Sequence, residues 1–553
     1  MKRFLMWTPV RWLGAMLLLA VLASCADAPA LGAASKPRLL VFLVVDGLPQ
    51  RQITAYRDQL APDGLARFLD RGVWYSQAHY EHSFTVTGAG HATMLSGAYS
   101  HRNGIVGNEW RDPQTGELEY CAGDTSATYI GNSTKPLDGT SPKNLKVESL
   151  GDVLKRTDAR SKVIAVSGKD RGAILPAGHS GTAYMYMGQS GQFASSTYYM
   201  AAHPAWVNQF NGQKPADAYF KTDWKPLLPE AAYARSLPDK QPWFGPQGGQ
   251  LPMRMGKDSD STPNAAFYSQ LLKSPFVDAL SLQFASAAID GEGLGQDEVT
   301  DILIVSLSGH DYVNHAYSAE SRISHDHLLQ LDRQLQNFFA QLDAKLGPNN
   351  YIATLTADHG FMPAPEYSAQ LGNSSGRINS GQLLARVNAG LQARFGPGAW
   401  VSFSAAGLLI NKKLLASTQT DPNAVAELAR SHLLKEEGIA TAYTRQELLS
   451  GSRASEPYFG AMRKSWHPEV SGDVQFIFKP YWMVASSTAV TTHGSPYEYD
   501  THVPILMYGP RWLKPARVDA RVGEADLAPT LAKLLGVPAP SSAEGKPMPL
   551  QNP

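Results

Sequence analysis

Seven side chains with the donor chemistry of a metal centre are scattered between residues 46 and 493: Asp46, Thr87, Asp311, His315, Asp358, His359 and His493. Carboxylate and hydroxyl oxygens mixed with imidazole nitrogens suit zinc, whereas magnesium prefers oxygen and water. No short segment supplies them all, so a fold has to assemble them. Asp311 and His315 are four positions apart, which places both on one face of a helical turn. Asp358 and His359 are adjacent at a predicted strand end, where successive side chains point to opposite sides and can serve two different ions. With 15 histidines in the chain, one such pair means little. Four elements in order, closing with Thr492-His493-Gly494-Ser495, are hard to attribute to coincidence.

Thr87 lies in Ser83-Phe84-Thr85-Val86-Thr87-Gly88-Ala89-Gly90-His91, where small residues leave room for a bulky anion at a predicted helix N-terminus. Backbone amides and the helix dipole favour negative charge there. Thr87 is therefore a candidate nucleophile, although a threonine at a helix start is usually only an N-cap.

The elements that must position these groups alternate between strand and helix. Residues 38–45 form an unbroken apolar run that ends in Asp46-Gly47 and reads as a buried parallel strand. Similar strands are expected at 162–166, 301–307, 351–356 and 503–508, with helices at 62–71, 264–289, 319–346 and 524–535. This pattern predicts an α/β fold: a doubly wound, mostly parallel central sheet with helices on both faces and ligands at the carboxyl ends of its strands. Two stretches break the rhythm and read as inserted cap segments, at about 176–262 and 364–484. The first is rich in Tyr, Trp, Gly and Pro; the second suggests a small α+β unit from helix-like 380–394 and 423–434 and strand-like 408–410. Their aromatics could line a substrate mouth or simply pack the insertions.

The chain has 553 residues, enough for a large core with accessory segments. Lys and Arg number 49, as do Asp and Glu, so no global field favours nucleic acid or an anionic membrane. Lys2 and Arg3 precede the apolar run 13–22, which is short of the roughly 20 residues of a membrane span. Leu22-Ala23-Ser24-Cys25 follows, the pattern of a lipoprotein signal. Residues 1–24 are expected to be removed, Cys25 to carry a lipid, and 25–36 to form a tether to a periplasm-facing catalytic domain at 37–553. The alternative is an ordinary signal peptide cut near 26–30. Cys121 is then the remaining cysteine, so the exported domain holds no internal disulfide, and the thiol reads as structural.

These motifs together resemble the alkaline phosphatase superfamily, in the threonine-nucleophile branch shared by nucleotide pyrophosphatase/phosphodiesterases and PafA-type bacterial alkaline phosphatases. The matching segments run from Val44-Val45-Asp46-Gly47 to His493-Gly494-Ser495 and on through His502-Val503-Pro504. The resemblance implies two zinc ions per chain, one held by Asp311, His315 and His493, the other by Asp46, Asp358, His359 and the Thr87 oxygen. It casts His91 and His502 as supporting residues, and implies attack by Thr87 with a phosphothreonine intermediate. No Cys/Ser-x-Pro-x-Arg motif of a dedicated sulfatase is present.

Gly104-Ile105-Val106-Gly107-Asn108 and Ser167-Gly168-Lys169-Asp170-Arg171 resemble the Asn and the Lys-x-Arg pair by which PafA-type monoesterases differ from diesterases. Asn108 would donate a hydrogen bond, Arg171 engage two oxygens as a fork, and Lys169 supply a point charge, as a phosphate monoester of about −1.5 to −2 charge requires. The bland alternative is a surface turn with a local salt bridge. The expected activity is alkaline phosphatase action on small phosphate monoesters, by a monomer with a broad scavenging role. A phosphodiesterase of the same fold, and a non-catalytic lipid-anchored binding protein, are the competing readings.

Overall fold

Strand β1, Leu39–Val45, has every side chain fully buried. Its residues alternate between two cores: Leu39, Val41, Leu43 and Val45 face one, Leu40, Phe42 and Val44 the other. Period-two geometry sends neighbours to opposite faces, so an apolar run without alternation requires cover on both sides. Burying each of these side chains contributes roughly 1.5–3 kcal/mol, which fixes β1 at the centre of the domain.

The computed structural model describes residues 1, 36–244, 249–486 and 488–550. Apart from Met1 and Lys36, the signal and tether expected at 1–36, including the Cys25 anchor, lie outside the described residues. Among those described, no helix is long and apolar enough to cross a membrane.

The other strands of the central sheet are β2 (Val73–His79), β3 (Val163–Ser167), β4 (Thr182–Met187), β5 (Gln192–Ala194), β6 (Asp301–Leu307), β7 (Tyr351–Thr356), β8 (His502–Tyr508) and β9 (Ala516–Gly523). Their order is β9-β2-β8-β7-β1-β6-β3-β4-β5. Strands β7, β1, β6, β3 and β4 pair in parallel, as do β9 and β2, so the sheet is mostly parallel. Helices Pro275–Glu292 and Arg322–Leu346 pack on one core, and Thr87–Ser96 and Asp170–Ala177 on the other.

Two details differ from the sequence reading. Strand β8, expected as another parallel strand, is antiparallel to both of its neighbours, β7 and β2. The loop that carries His493 lies at the carboxyl edge of the parallel strands, so a chain leaving it through β8 has to run back across the sheet. The stretch 176–262 also contributes β4 and β5 to the sheet. Its Trp206 and Trp224 pack against Phe284 and bond to Asp326, on the helices beneath the sheet, and do not line a mouth.

The segment 364–484 carries a four-stranded antiparallel sheet, ordered 401–404, 407–410, 474–478, 439–444. Helices Ser380–Phe395 and Pro422–Leu433 cover it around a separate apolar core that includes Leu383, Leu391, Trp400 and Leu433.

Candidate metal centre and phosphate site

Register places the chemistry. Val45 pairs with Leu307, and Val44 with both Ser306 and Thr356. Asp46, the Ser308–Asp311 segment and Asp358 therefore leave the sheet side by side at the carboxyl ends of neighbouring parallel strands. Gly47 turns the chain with φ +71°, where a side chain would be strained, and its N–H donates to Asp358 Oδ1 at 3.0 Å.

Helix α1, Thr87–Ser96, begins at Thr87 itself, which is 1% exposed and makes no side-chain cap. The Thr87 hydroxyl lies 3.5 Å from His359 Nε2. The helix approaches Asp358 closely at Gly90, where a Cβ would stand 2.1 Å from the Asp358 carbonyl oxygen. His91 Nε2 meets the Ser306 hydroxyl at 2.8 Å, and its Nδ1 lies 2.9 Å from the Thr87 carbonyl and 3.3 Å from Asp358 Oδ2. Those contacts make His91 a support for the helix and for the Asp358 carboxylate.

Two groups of ligand atoms form, each within 4.8 Å: Asp311, His315 and His493, and Asp46, Asp358 and His359. Asp311 and His315 lie one turn apart in Gly309–Tyr317, as their spacing requires. The rings of His359 and His493 stack at 3.4 Å, joining the two groups.

Three observations fit these groups to metal ions. His315, His359 and His493 each set Nδ1 2.8–2.9 Å from a backbone carbonyl, of Thr491, Gly360 and Thr85 respectively. A carbonyl only accepts, so Nδ1 carries the hydrogen and Nε2 keeps its lone pair, the arrangement of an oriented metal-ligating imidazole. Burial holds His359 and His493 below the ordinary histidine pKa, favouring that neutral form. Asp46 Oδ1, Asp311 Oδ1 and Asp358 Oδ2 are buried acceptors with no hydrogen-bond donor. Burial and the nearby Asp358 charge push the Asp46 carboxyl up, a carboxylate cluster short of positive charge.

Lys169 lies within this cluster. It is buried, and its Nζ stands 2.7 Å from Asp46 Oδ2 and 2.5 Å from Asp311 Oδ2, bridging the two ligand groups. Burial alone would lower the lysine pKa, but Asp311 and Asp46 overcome it and keep the ammonium charged. The same geometry opposes burial at Asp311, whose carboxyl the Lys169 ammonium holds well below the usual range. A surface turn with a local salt bridge does not describe this lysine. Arg171 is less closely placed: its Nη1 donates to Tyr120 Oη at 3.1 Å, and Tyr120 donates to Asp170 at 2.5 Å. Arg171 Nε is buried without a partner.

Asn108 approaches from the other side. Its Oδ1 accepts the Gly88 N–H at 2.8 Å, one residue past Thr87, leaving the amide NH₂ to donate elsewhere. The hairpin tip at Ala405 packs on Gly107, so the cap helps hold this turn.

Sequence reasoning passed over Tyr120, Tyr312 and Asp500. Lys169 Nζ sits 4.9 Å above the Tyr312 ring. Asp500 Oδ2 accepts from Gly494 N at 3.1 Å, Ser495 N at 2.9 Å and Ser495 Oγ at 2.5 Å, shaping the turn that presents His493. The adjacent motif Tyr499-Asp500-Thr501-His502 was a signal for it. His502, at 2.9 Å from the Ser76 carbonyl and stacked on His79, is a structural support.

An α/β sheet with a paired ligand set and a helix-borne hydroxyl defines a class, and comparison with known proteins specifies it. Residues 40–501 match the family described as type I phosphodiesterase / nucleotide pyrophosphatase. The alkaline phosphatase PafA of Elizabethkingia meningoseptica is 32% identical over 98% of this chain and 99% of its own. Alkaline phosphatase PhoV of Synechococcus elongatus is 33% identical over 93% of this chain and 92% of its own. The crystal structure of wild-type PafA superimposes with a TM-score of 0.86, covering 94% of this chain and 99% of that one. The chain belongs to the type I phosphodiesterase / nucleotide pyrophosphatase family, in its PafA-type alkaline phosphatase branch.

Proposed function

We propose that this metal-dependent phosphoric monoester hydrolase works with two zinc ions and a phosphothreonine intermediate. Asp311, His315 and His493 would hold one ion, and Asp46, Asp358, His359 and the Thr87 hydroxyl the other. Bound there, the metals supply positive charge that makes a coordinated hydroxyl or water nucleophilic near neutral pH and neutralises oxygens at phosphorus. The observation that carries this reading is the convergence of imidazole Nε2 atoms, oriented through Nδ1, on buried carboxylate oxygens that have no donor.

The chain's own residues divide the remaining work. Thr87 Oγ attacks phosphorus, a Thr–O–P bond forms as the ester P–O bond breaks, and the alcohol departs. Water then attacks the phosphothreonine and returns the Thr87 hydroxyl, releasing phosphate. Asn108, fixed by the Gly88 N–H, offers its amide hydrogens to a non-bridging oxygen. Lys169 contributes a buried positive charge beside the ligands, and Arg171, held by Tyr120, supplies a second cation at the same helix start. A buried ammonium beside the ligands favours the doubly charged monoester over a diester, the competing substrate class.

The signal at 1–24 and lipidation at Cys25 would place the domain outside the cytoplasm, where it acts as a monomer on small phosphate esters. The test of the central reading combines metal analysis with intermediate trapping. The purified domain is expected to contain two zinc ions per chain, and acid-quenched turnover to leave phosphate on the peptide containing Thr87. Full activity in Thr87→Ala, or a phosphate trapped on another residue, removes the assignment.

A further inference from the structure

The cavity above the ligands has a volume of about 430 Å³, within the roughly 300–1,000 Å³ of small-molecule sites. Asn108, His315 and His493 line it together with an apolar wall built mainly by the cap. Phe403, Phe476 and Phe478 from the cap sheet follow one another at ring separations of 6.4 and 5.4 Å. Leu383, Trp482 and Phe84 extend that wall. Because the cavity shares His315 and His493 with the metal centre, a phosphoryl group at the ligands would leave its ester substituent against these side chains.

Charge is distributed unevenly around the centre. Among the residues lining this cavity there is no lysine or arginine. Lys169 and Arg171 line a separate cavity of about 390 Å³ with Tyr120 and Tyr312. The carboxylate in the apolar cavity, Asp500, is engaged by Gly494 and Ser495. An anionic substituent would find no counter-charge here, whereas an apolar one would bury area on both faces.

We propose that this cavity is a leaving-group subsite selecting phosphate monoesters of apolar alcohols, aromatic ones above all, and disfavouring alcohols that carry a further negative charge. The proposal rests on the monoesterase reading above. It differs from broad scavenging in that discrimination is set by the cap wall and not by the phosphate contacts.

The test compares ethyl, hexyl, 3-phenylpropyl and 3-carboxypropyl phosphates with the zinc-loaded enzyme, since their alcohols have similar leaving-group reactivity. At roughly threefold to fourfold per buried methylene, kcat/KM for the phenylpropyl ester is expected to exceed that for the ethyl ester by about 10- to 100-fold. The carboxypropyl ester is expected to fall below the ethyl ester. Phe403→Ala and Phe476→Ala should each lower the phenylpropyl-to-ethyl ratio several-fold. A flat series with ethyl phosphate still hydrolysed overturns the subsite and leaves the monoesterase reading intact. Variants that depress all esters equally also overturn it, by assigning the wall a purely structural role. Failure to hydrolyse any monoester would sink the monoesterase reading itself.

Discussion

Gly90→Ala tests whether packing between helix α1 and the end of β7 sets the geometry of Thr87, the proposed nucleophile. The added Cβ would lie 2.1 Å from the Asp358 carbonyl oxygen, 2.8 Å from its carbonyl carbon and 2.9 Å from its Cβ. Each obstacle is a backbone or Cβ atom of Asp358 just past a strand end, so no flexible side-chain tip can yield. Restoring ordinary contact needs about 1 Å of relative movement between helix and strand, and misplacement of that size costs on the order of 10²-fold in rate. Thr87 lies one helical turn away and Asp358 is a proposed ligand, so the displacement falls directly between them. Overpacking should also cost about 1–3 kcal/mol of stability. Gly212→Ala is the control: it ends a helix, nothing lies within 4 Å of where its Cβ would stand, and it should be neutral or stabilising by about 0.4–1 kcal/mol. The assay is kcat/KM on an aryl phosphate with zinc content and Tm measured on the same preparations. Wild-type kcat/KM with full zinc content in Gly90→Ala would refute the argument that this contact fixes Thr87.

Other substitutions probe separate parts of the site. The Lys169→Ala/Arg171→Ala pair is expected to lower monoester kcat/KM by about 10²- to 10⁴-fold and diester kcat/KM much less; parallel losses in steady-state assays would remove both residues from phosphate recognition. Burial pushes the Asp500 carboxyl up to about 7, against the hydrogen bonds from Ser495. The folded state therefore holds that proton more tightly than the unfolded chain, a stabilisation present below about pH 4 and lost as pH rises through about 7. The Tm of wild type should accordingly fall relative to Asp500→Asn between pH 5 and 8, and parallel Tm profiles would contradict it. Burial pushes the Cys121 thiol up to about 12, so a thiol reagent should leave it untouched in the native enzyme and modify it on unfolding; native-state labelling at neutral pH would show the corner behind Asn108 to be open.

The sequence made the central strands legible because an unalternating apolar run such as 38–45 has to be covered on both sides. The grouping of the carboxylates was legible because Asp46, Asp311 and Asp358 each follow such a run, and parallel register brings their ends to one edge. The direction of β8 was not legible, since apolarity reports burial and says nothing about which edge a chain enters from. Nor could it be read that 176–262 reaches the sheet edge, because its short strands are hidden among Gly and aromatic residues. Lys169 was assigned a charge near phosphate, but its place between Asp46 and Asp311 depends on contacts across 123 and 142 positions that spacing does not encode. Asp500 lies inside the matching stretch 493–504, but its role, accepting bonds from its neighbours' backbone, is not encoded in side-chain spacing.

The position of β8 bears on how the molecule is made. It lies between β2 and β7, although it begins 423 residues after the end of β2 and 146 after the end of β7, and the loop before it delivers His493. A chain growing from its N-terminus therefore exposes half-built sheet edges on both β2 and β7 until the C-terminal region arrives. Closing so long a loop is entropically slow, and the waiting edges are open to wrong partners. The strand that closes this gap, with only β9 still to follow, thus arrives together with His493, the last residue of the grouped carboxylates and histidines. Metal uptake would then report on completed assembly, since a chain stopped short of residue 493 lacks both β8 and the histidine that completes the Asp311 and His315 group.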